Sequence, residues 1–278
     1  LVVGQESMTR APHLAESRMG RRYGAIELVD SLEHDGLSDA FERTSMGALT
    51  EGHTSEAEIT RDQQDAWAAR SHALLAAAHG MLADEIAPLT PSAKVGEISA
   101  DDGLRADTTV ETLARLRPAF SADGSVTAGN ASQISDGAAA LVIVDEGLAS
   151  DEGLVALARI ESRALVAGPG LSLLEQPARA IMAALERAGL AASDLAAVEI
   201  NEAFASVAIR STELLGVDES IVNPHGGAIA LGHPIGASGT RLVGHLARSL
   251  AALGPGSLGA AALCGGGGQG SAIVLRAV

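Results

Sequence analysis

The sequence predicts an α/β fold in which helices pack in layers on mixed β-sheets. Ala138 to Val144 is an unbroken apolar run, the pattern of a strand buried on both faces. Beyond it, short apolar runs alternate with stretches at helical spacing, the grammar of βα units. The last two runs, Leu258 to Leu263 and Ser271 to Leu275, flank a glycine-rich turn and read as a closing hairpin. Parallel βα units joined to a hairpin make a mixed sheet.

Each element follows from local signals. Leu1 to Gly4 reads as the end of a buried strand turning into Glu6-Ser7-Met8-Thr9-Arg10, so a preceding segment is expected. Residues 11 to 59 are polar, glycine-punctuated and without a sustained period. Thr60 and Gln63 have capping-box spacing, and alanine, Trp67 and leucine follow to Leu82, which predicts a helix. Pro88 and Pro91 break the chain, a second helical stretch runs from Thr109 to Leu116, and Ser121-Ala122-Asp123-Gly124 is a turn. Pro177 to Gly189 has proline near its start and glycine past its end, with Ala178, Ile181, Met182 and Leu185 at core spacing. Ala197 to Ile200 is a short strand leading into a helix from Glu202, and Leu242, Leu246, Leu250 and Leu253 mark a long helix.

Composition narrows the function. The 278 residues are 47% hydrophobic and only 2% aromatic, so small side chains must pack a sizeable core around glycine turns. A net charge of −16 repels phosphates and argues against nucleic-acid or membrane affinity, so an anionic ligand needs a local cation. Lys94 is the only lysine; the other basic side chains are arginine. The single cysteine, Cys264, leaves no internal disulfide and suits a reducing, cytoplasmic setting. No apolar run reaches the ~20 residues of a membrane span.

Three loop segments concentrate chemistry. They are Asn201-Glu202-Ala203-Phe204-Ala205, the glycine-dense stretch from Asn223 to Arg241, and Cys264-Gly265-Gly266-Gly267-Gly268-Gln269-Gly270. His233 lies between Gly232 and Pro234 where a helix opens, beside unpaired N–H donors and a positive dipole end. Cys264 ends a strand beside glycine amides. A thiol and an imidazole together can move protons in acyl or enolate chemistry. Asn201 adds an amide that can orient water or polarise an oxygen. Plainer roles stand beside these: a lone histidine is more often structural, a strand-end cysteine is commonly a small buried hydrophobe, and Asn201 could cap the next helix. P-loop, HExxH, CxxC and GxSxG patterns are absent from the sequence, and no GxGxxG joins a strand to a helix.

The phrase Ala230-Leu231-Gly232-His233-Pro234-Ile235-Gly236-Ala237-Ser238-Gly239, with the two other segments in the same order, closely resembles the thiolase family. So do Arg61-Asp62-Gln63-Gln64-Asp65-Ala66, Asp84-Glu85-Ile86, Arg117-Pro118-Ala119-Phe120, Val126 to Ser132, Asp136-Gly137-Ala138-Ala139 and Gln5-Glu6-Ser7-Met8. The resemblance implies an αβαβα layered fold, here with an incomplete N-terminal domain. Residues 1–10 would be the end of that domain, 11–135 a loop and CoA-binding domain, 136–150 its last strand region, and 151–278 the C-terminal domain. It further implies an acetyl-CoA C-acyltransferase with CoA and acyl-CoA as substrates, no permanently bound cofactor, a place in fatty acid metabolism, and a homodimer or homotetramer.

By the same resemblance, His233 takes a proton from a nucleophilic cysteine and polarises the thioester oxygen. Cys264 acts on the α-carbon. Asn201 holds a water in one oxyanion hole, and the Gly266 N–H serves the second. Arg105 and Ser132 contact CoA, and Phe204 lines its groove. The nucleophilic cysteine is expected upstream of Leu1, so the chain alone is expected to be inactive, which leaves a non-catalytic CoA-binding fragment or partner subunit as the alternative. Leu174-Glu175-Gln176-Pro177 and Ala48-Leu49-Thr50-Glu51 depart from the family pattern near the acyl and pantetheine channel.

Overall fold

The structure is a computed structural model that describes residues 1–20, 23–92 and 94–278. Its strands are β1 (Val2–Ser7), β2 (His13–Leu14), β3 (Val29–Asp30), β4 (Asp136–Leu141), β5 (Ala158–Ala167), β6 (Leu195–Ile200), β7 (Leu258–Gly265) and β8 (Gln269–Ala277). Its α-helices are α1 (Met46–Glu56), α2 (Arg61–Leu82), α3 (Val110–Leu113), α4 (Glu146–Asp151), α5 (Gln176–Ala188), α6 (Ala205–Leu215), α7 (Ala228–Leu231) and α8 (Ile235–Leu253).

The C-terminal half is an α/β/α sandwich built on a mixed sheet of order β5-β8-β7-β6. β6 and β7 run parallel, while β7 and β5 each pair antiparallel with β8. Alternation along the strands divides the two faces. Val198 and Ile200, Ala260 and Ala262, and Ala272 and Val274 join Ile181 and Leu185 of α5 and Val207 and Ala208 of α6 in the main core. Ala197, Ala261, Leu275 and Ala277 face Leu242, Leu246 and Leu250 of α8. Glu199 and Asn201 share Ala197's phase, so they continue the row facing α8 towards the carboxyl end of β6.

Several helix signals hold. Thr60 and Gln63 form the capping box of α2, and α5 begins with Pro177 in its first turn and ends on Gly189 at φ 67°. Other expectations are corrected. α1 was not expected; its apolar positions are too few to show a helical period, and its start is set by Ser45, whose side chain caps the Ala48 N–H. α3 closes after one turn rather than running to Leu116. α6 starts at Ala205, not Glu202, because residues 201–204 form the loop that carries the site. Met182 and Leu253 lie on solvent faces despite their spacing, at 41% and 58% exposure.

The run at Ala138 to Val144 is not buried on both faces. β4 ends at Leu141 and pairs only with β1 among the described residues, and Val142, Ile143 and Val144 are 75%, 50% and 39% exposed. The β1–β4 pair nevertheless fixes the start of α8. A Cβ on Gly4 would lie 2.4 Å from the Gly236 carbonyl, and one on Gly236 would lie 2.3 Å from the Gln5 carbonyl. Only glycine at both positions lets strand and helix backbones approach so closely.

Candidate active site

The site gathers where β6 and β7 end and α8 begins. Asn201 follows β6 directly, its N–H donating to the Ala262 carbonyl of β7 at 2.9 Å, and it is fully buried. Its side-chain Nδ2 meets His233 Nε2 at 3.2 Å. The other ring nitrogen, Nδ1, lies 2.6 Å from Ser238 Oγ in the first turn of α8. The imidazole is thus held at both edges. Burial, aided by the Arg241 guanidinium, pushes the His233 pKa down to about 4, so the ring is neutral at physiological pH. Asn201 Oδ1 is buried and has no hydrogen-bond partner among the described residues, so it can accept.

Cys264 lies near the end of β7, paired with Gly270 of β8. It continues the row of Ala260 and Ala262 and packs at the edge of the main core, as do Met46 and Phe204. Burial pushes its thiol up to about 12. Among the described residues no hydrogen bond joins Cys264 to His233 or Asn201. Gly266 opens the hairpin turn that Gly267 and Gly268 complete at φ 78° and 67°. A Cβ on Gly266 would strike Met46 Cε at 2.4 Å, so α1 closes against this turn.

Arg105, Ser132 and Phe204 form a connected strip. The Ser132 N–H donates to the Ala203 carbonyl at 3.0 Å, and Ala131 bridges Phe204 in antiparallel fashion. The exposed Arg105 guanidinium donates to Gln133 Oε1 at 3.2 Å. The Gln133 carbonyl in turn accepts from the His233 N–H at 3.4 Å. Phe204 meets Phe120 edge to face, with ring centres 6.2 Å apart. Asn130, two residues before Ser132, is held in turn: Arg61 pairs with Asp65 at 2.7 Å, and Asp65 accepts from Asn130 Nδ2 at 2.9 Å.

Two supporting networks were not foreseen. The buried Glu202 carboxylate accepts from Trp67 Nε1, Ser71 Oγ, Asn223 Nδ2 and the Ile229 N–H at 2.7–3.1 Å, which ties α2 to the loop leading to His233. Beside it, Glu199 is buried with neither oxygen hydrogen-bonded among the described residues, and burial raises its pKa to about 7. Glu199 lies 3.7 Å from His245, which also bonds Glu85 at 2.8 Å and His225 at 3.0 Å. The signal in the sequence was two carboxylates inside the apolar stretch Ala197-Val198-Glu199-Ile200-Asn201-Glu202, where only a partnered or protonated acid can be buried.

Residues 1–147 match the model of the thiolase N-terminal domain and residues 154–277 that of the thiolase C-terminal domain. The chain is 52% identical over 279 residues to a "Probable acetyl-CoA acetyltransferase" of Mycolicibacterium smegmatis, covering 98% of this chain and 72% of that one. It is 43% identical to the acetyl-CoA acetyltransferase of Shinella zoogloeoides, covering 99% of this chain and 71% of that one. Human mitochondrial 3-ketoacyl-CoA thiolase, solved in complex with CoA, superposes with a TM-score of 0.91 at 36% identity, over 99% of this chain and 70% of that one. The chain belongs to the thiolase family of acyltransferases.

Proposed function

We propose that the protein transfers acyl groups between acyl-CoA and CoA, cleaving 3-oxoacyl-CoA or running the reverse Claisen condensation. The observation that carries the reading is the neutral His233 imidazole, held between Asn201 and Ser238 at the mouth of β6. A half-buried, uncharged imidazole can take a proton from an attacking thiol, and the resulting imidazolium faces the oxyanion formed at the thioester carbon. Asn201 and the Gly266 N–H are the proposed donors of the two oxyanion sites, and losing one such donor typically costs about 10²–10³ in rate. Cys264, held as a thiol, is poised to give its proton to the α-carbanion released on cleavage; in condensation it takes that proton back.

Arg105, Ser132 and Phe204 are proposed to line the CoA groove. They lie on one strip beside His233, and Arg105 supplies the cation that an acidic chain needs near phosphate. The corresponding division of the chain is 1–10, 11–135, 136–150 and 151–278. A cytoplasmic homo-oligomer acting in fatty acid metabolism fits the same reading.

A second reading rests on Cys264 being the only thiol in 278 residues. On that reading, this chain by itself binds CoA esters without turning them over. Calorimetric titration tests the binding that both readings share. Arg105→Ala should weaken CoA about tenfold, the scale of one charge-assisted phosphate contact, and leave a pantetheine thioester almost unaffected. Equal losses for both ligands would show that Arg105 does not face the nucleotide. Cleavage of acetoacetyl-CoA by residues 1–278, above a His233→Ala control, would refute the second reading.

A further inference from the structure

We propose that Ser238 is the positioning residue that sets the tautomer of His233, holding the ring proton on Nδ1 so that Nε2 presents its lone pair to the site. The proposal deepens the acyl-transfer reading, because a base must offer a lone pair, not an N–H, to the proton it removes.

Ser238 is 1% exposed in the first turn of α8. Its Oγ lies 3.0 Å from the Pro234 carbonyl, the back-bond that a helical serine makes to the residue four positions earlier. The same Oγ lies 2.6 Å from His233 Nδ1. A hydroxyl has one proton to give. With that proton on the Pro234 carbonyl, the 2.6 Å contact is a bond from Nδ1–H to Oγ, and Nε2 is left bare. In the resting site that lone pair accepts from Asn201 Nδ2, a donor at 3.2 Å, and an attacking thiol takes the amide's place. All three contacts become hydrogen bonds.

The opposite assignment fails twice. Giving the hydroxyl proton to Nδ1 moves the ring proton to Nε2, where it meets the Asn201 amide hydrogens. It also leaves Ser238 Oγ and the Pro234 oxygen 3.0 Å apart with no proton between them. Turning the Asn201 amide over would cure the first conflict and not the second.

The test is long-range proton–nitrogen correlation spectroscopy on residues 1–278 labelled with ¹⁵N-histidine, at pH 7.5. In the unaltered protein His233 should show one tautomer, with the pyrrole-type shift on Nδ1 and the pyridine-type shift on Nε2. In Ser238→Ala the two shifts should reverse or average, and Ser238→Thr, which keeps the hydroxyl, should restore them. An Nε2–H tautomer in the unaltered protein overturns the proposal without recourse to any variant, as does an unchanged tautomer in a folded Ser238→Ala. The acyl-transfer reading is judged separately: if CoA binding still depends on Arg105 while the tautomer result fails, only the role of Ser238 falls.

Discussion

At the scale of single residues, the site is organised by buried polar groups whose partners are fully specified. Glu202 is the clearest case. Four donors converge on its carboxylate from α2 and from the 223–229 loop, so exchanging one of its oxygens for an amide NH₂ leaves donors unmatched inside the protein. Replacing one partner of such a network costs more than the mean value of a hydrogen bond, because the orphaned groups stay desolvated. Glu202→Gln should therefore lower unfolding free energy by about 3 kcal/mol, measured by urea denaturation. A change within about 0.5 kcal/mol, the range of ordinary surface substitutions, would show that the network is not specified by the carboxylate. Glu51 has a comparable role nearer the surface. It accepts from the Ser125 and Val126 N–H groups at 2.7 and 2.9 Å, which accounts for a carboxylate where the family pattern differs.

At the scale of elements, the decisive contact is the close approach of β1 to the first turn of α8, the turn that carries Ser238 and follows His233. Gly236→Ala places a methyl group 2.3 Å from the Gln5 carbonyl, and backbone cannot swing aside as a flexible side chain can. It should destabilise the protein by about 1–3 kcal/mol, the cost of overpacking. Gly52 in α1 is the control: its added Cβ meets nothing within 4 Å, so Gly52→Ala should gain up to about 1 kcal/mol from helix propensity. Thermal unfolding of both variants checks the pair, and equal effects would remove the steric explanation. Legibility in the sequence follows the same line. α2 and α5 were readable because their caps and periods are local, and the β7–β8 hairpin because apolar runs flank a glycine turn. The exposure of Val142 to Val144, the solvent-facing Met182 and the whole of α1 were not, since each depends on which element packs opposite. The motif residues Asn201, His233 and Cys264 were visible by resemblance. Ser238, Glu199 and Glu202 needed distances.

At the scale of the whole molecule, two desolvated groups oppose one another in their effect on stability with pH. His233, lowered to about 4, stays neutral while its unfolded counterpart takes up a proton near 6.5, so its contribution favours folding above that range and is lost as pH falls from 6.5 to 4. Glu199, raised to about 7, stays protonated while its unfolded counterpart ionises near 4.5, so its contribution is lost as pH rises from 4.5 to 7. Glu199→Gln removes only the second effect. Relative to the unaltered protein, its unfolding free energy should rise between pH 4.5 and pH 8 by about 3 kcal/mol, at 1.36 kcal/mol per pKa unit. A difference that stays flat across that range would mean Glu199 ionises freely through its neighbours His245 and Arg241.

On the proposed assignment, the condensation direction begins with proton removal at the α-carbon of an acyl-CoA, a step given to Cys264 as its thiolate, with the oxyanion donors holding the enolate. The protein is incubated with acetyl-CoA in deuterated water, and deuterium in the acetyl group is read by mass spectrometry. Exchange should occur with the unaltered protein and vanish with Cys264→Ala. Absence of exchange in a protein that binds CoA, or exchange at an equal rate in Cys264→Ala, would contradict the assignment of this site to thiolase chemistry.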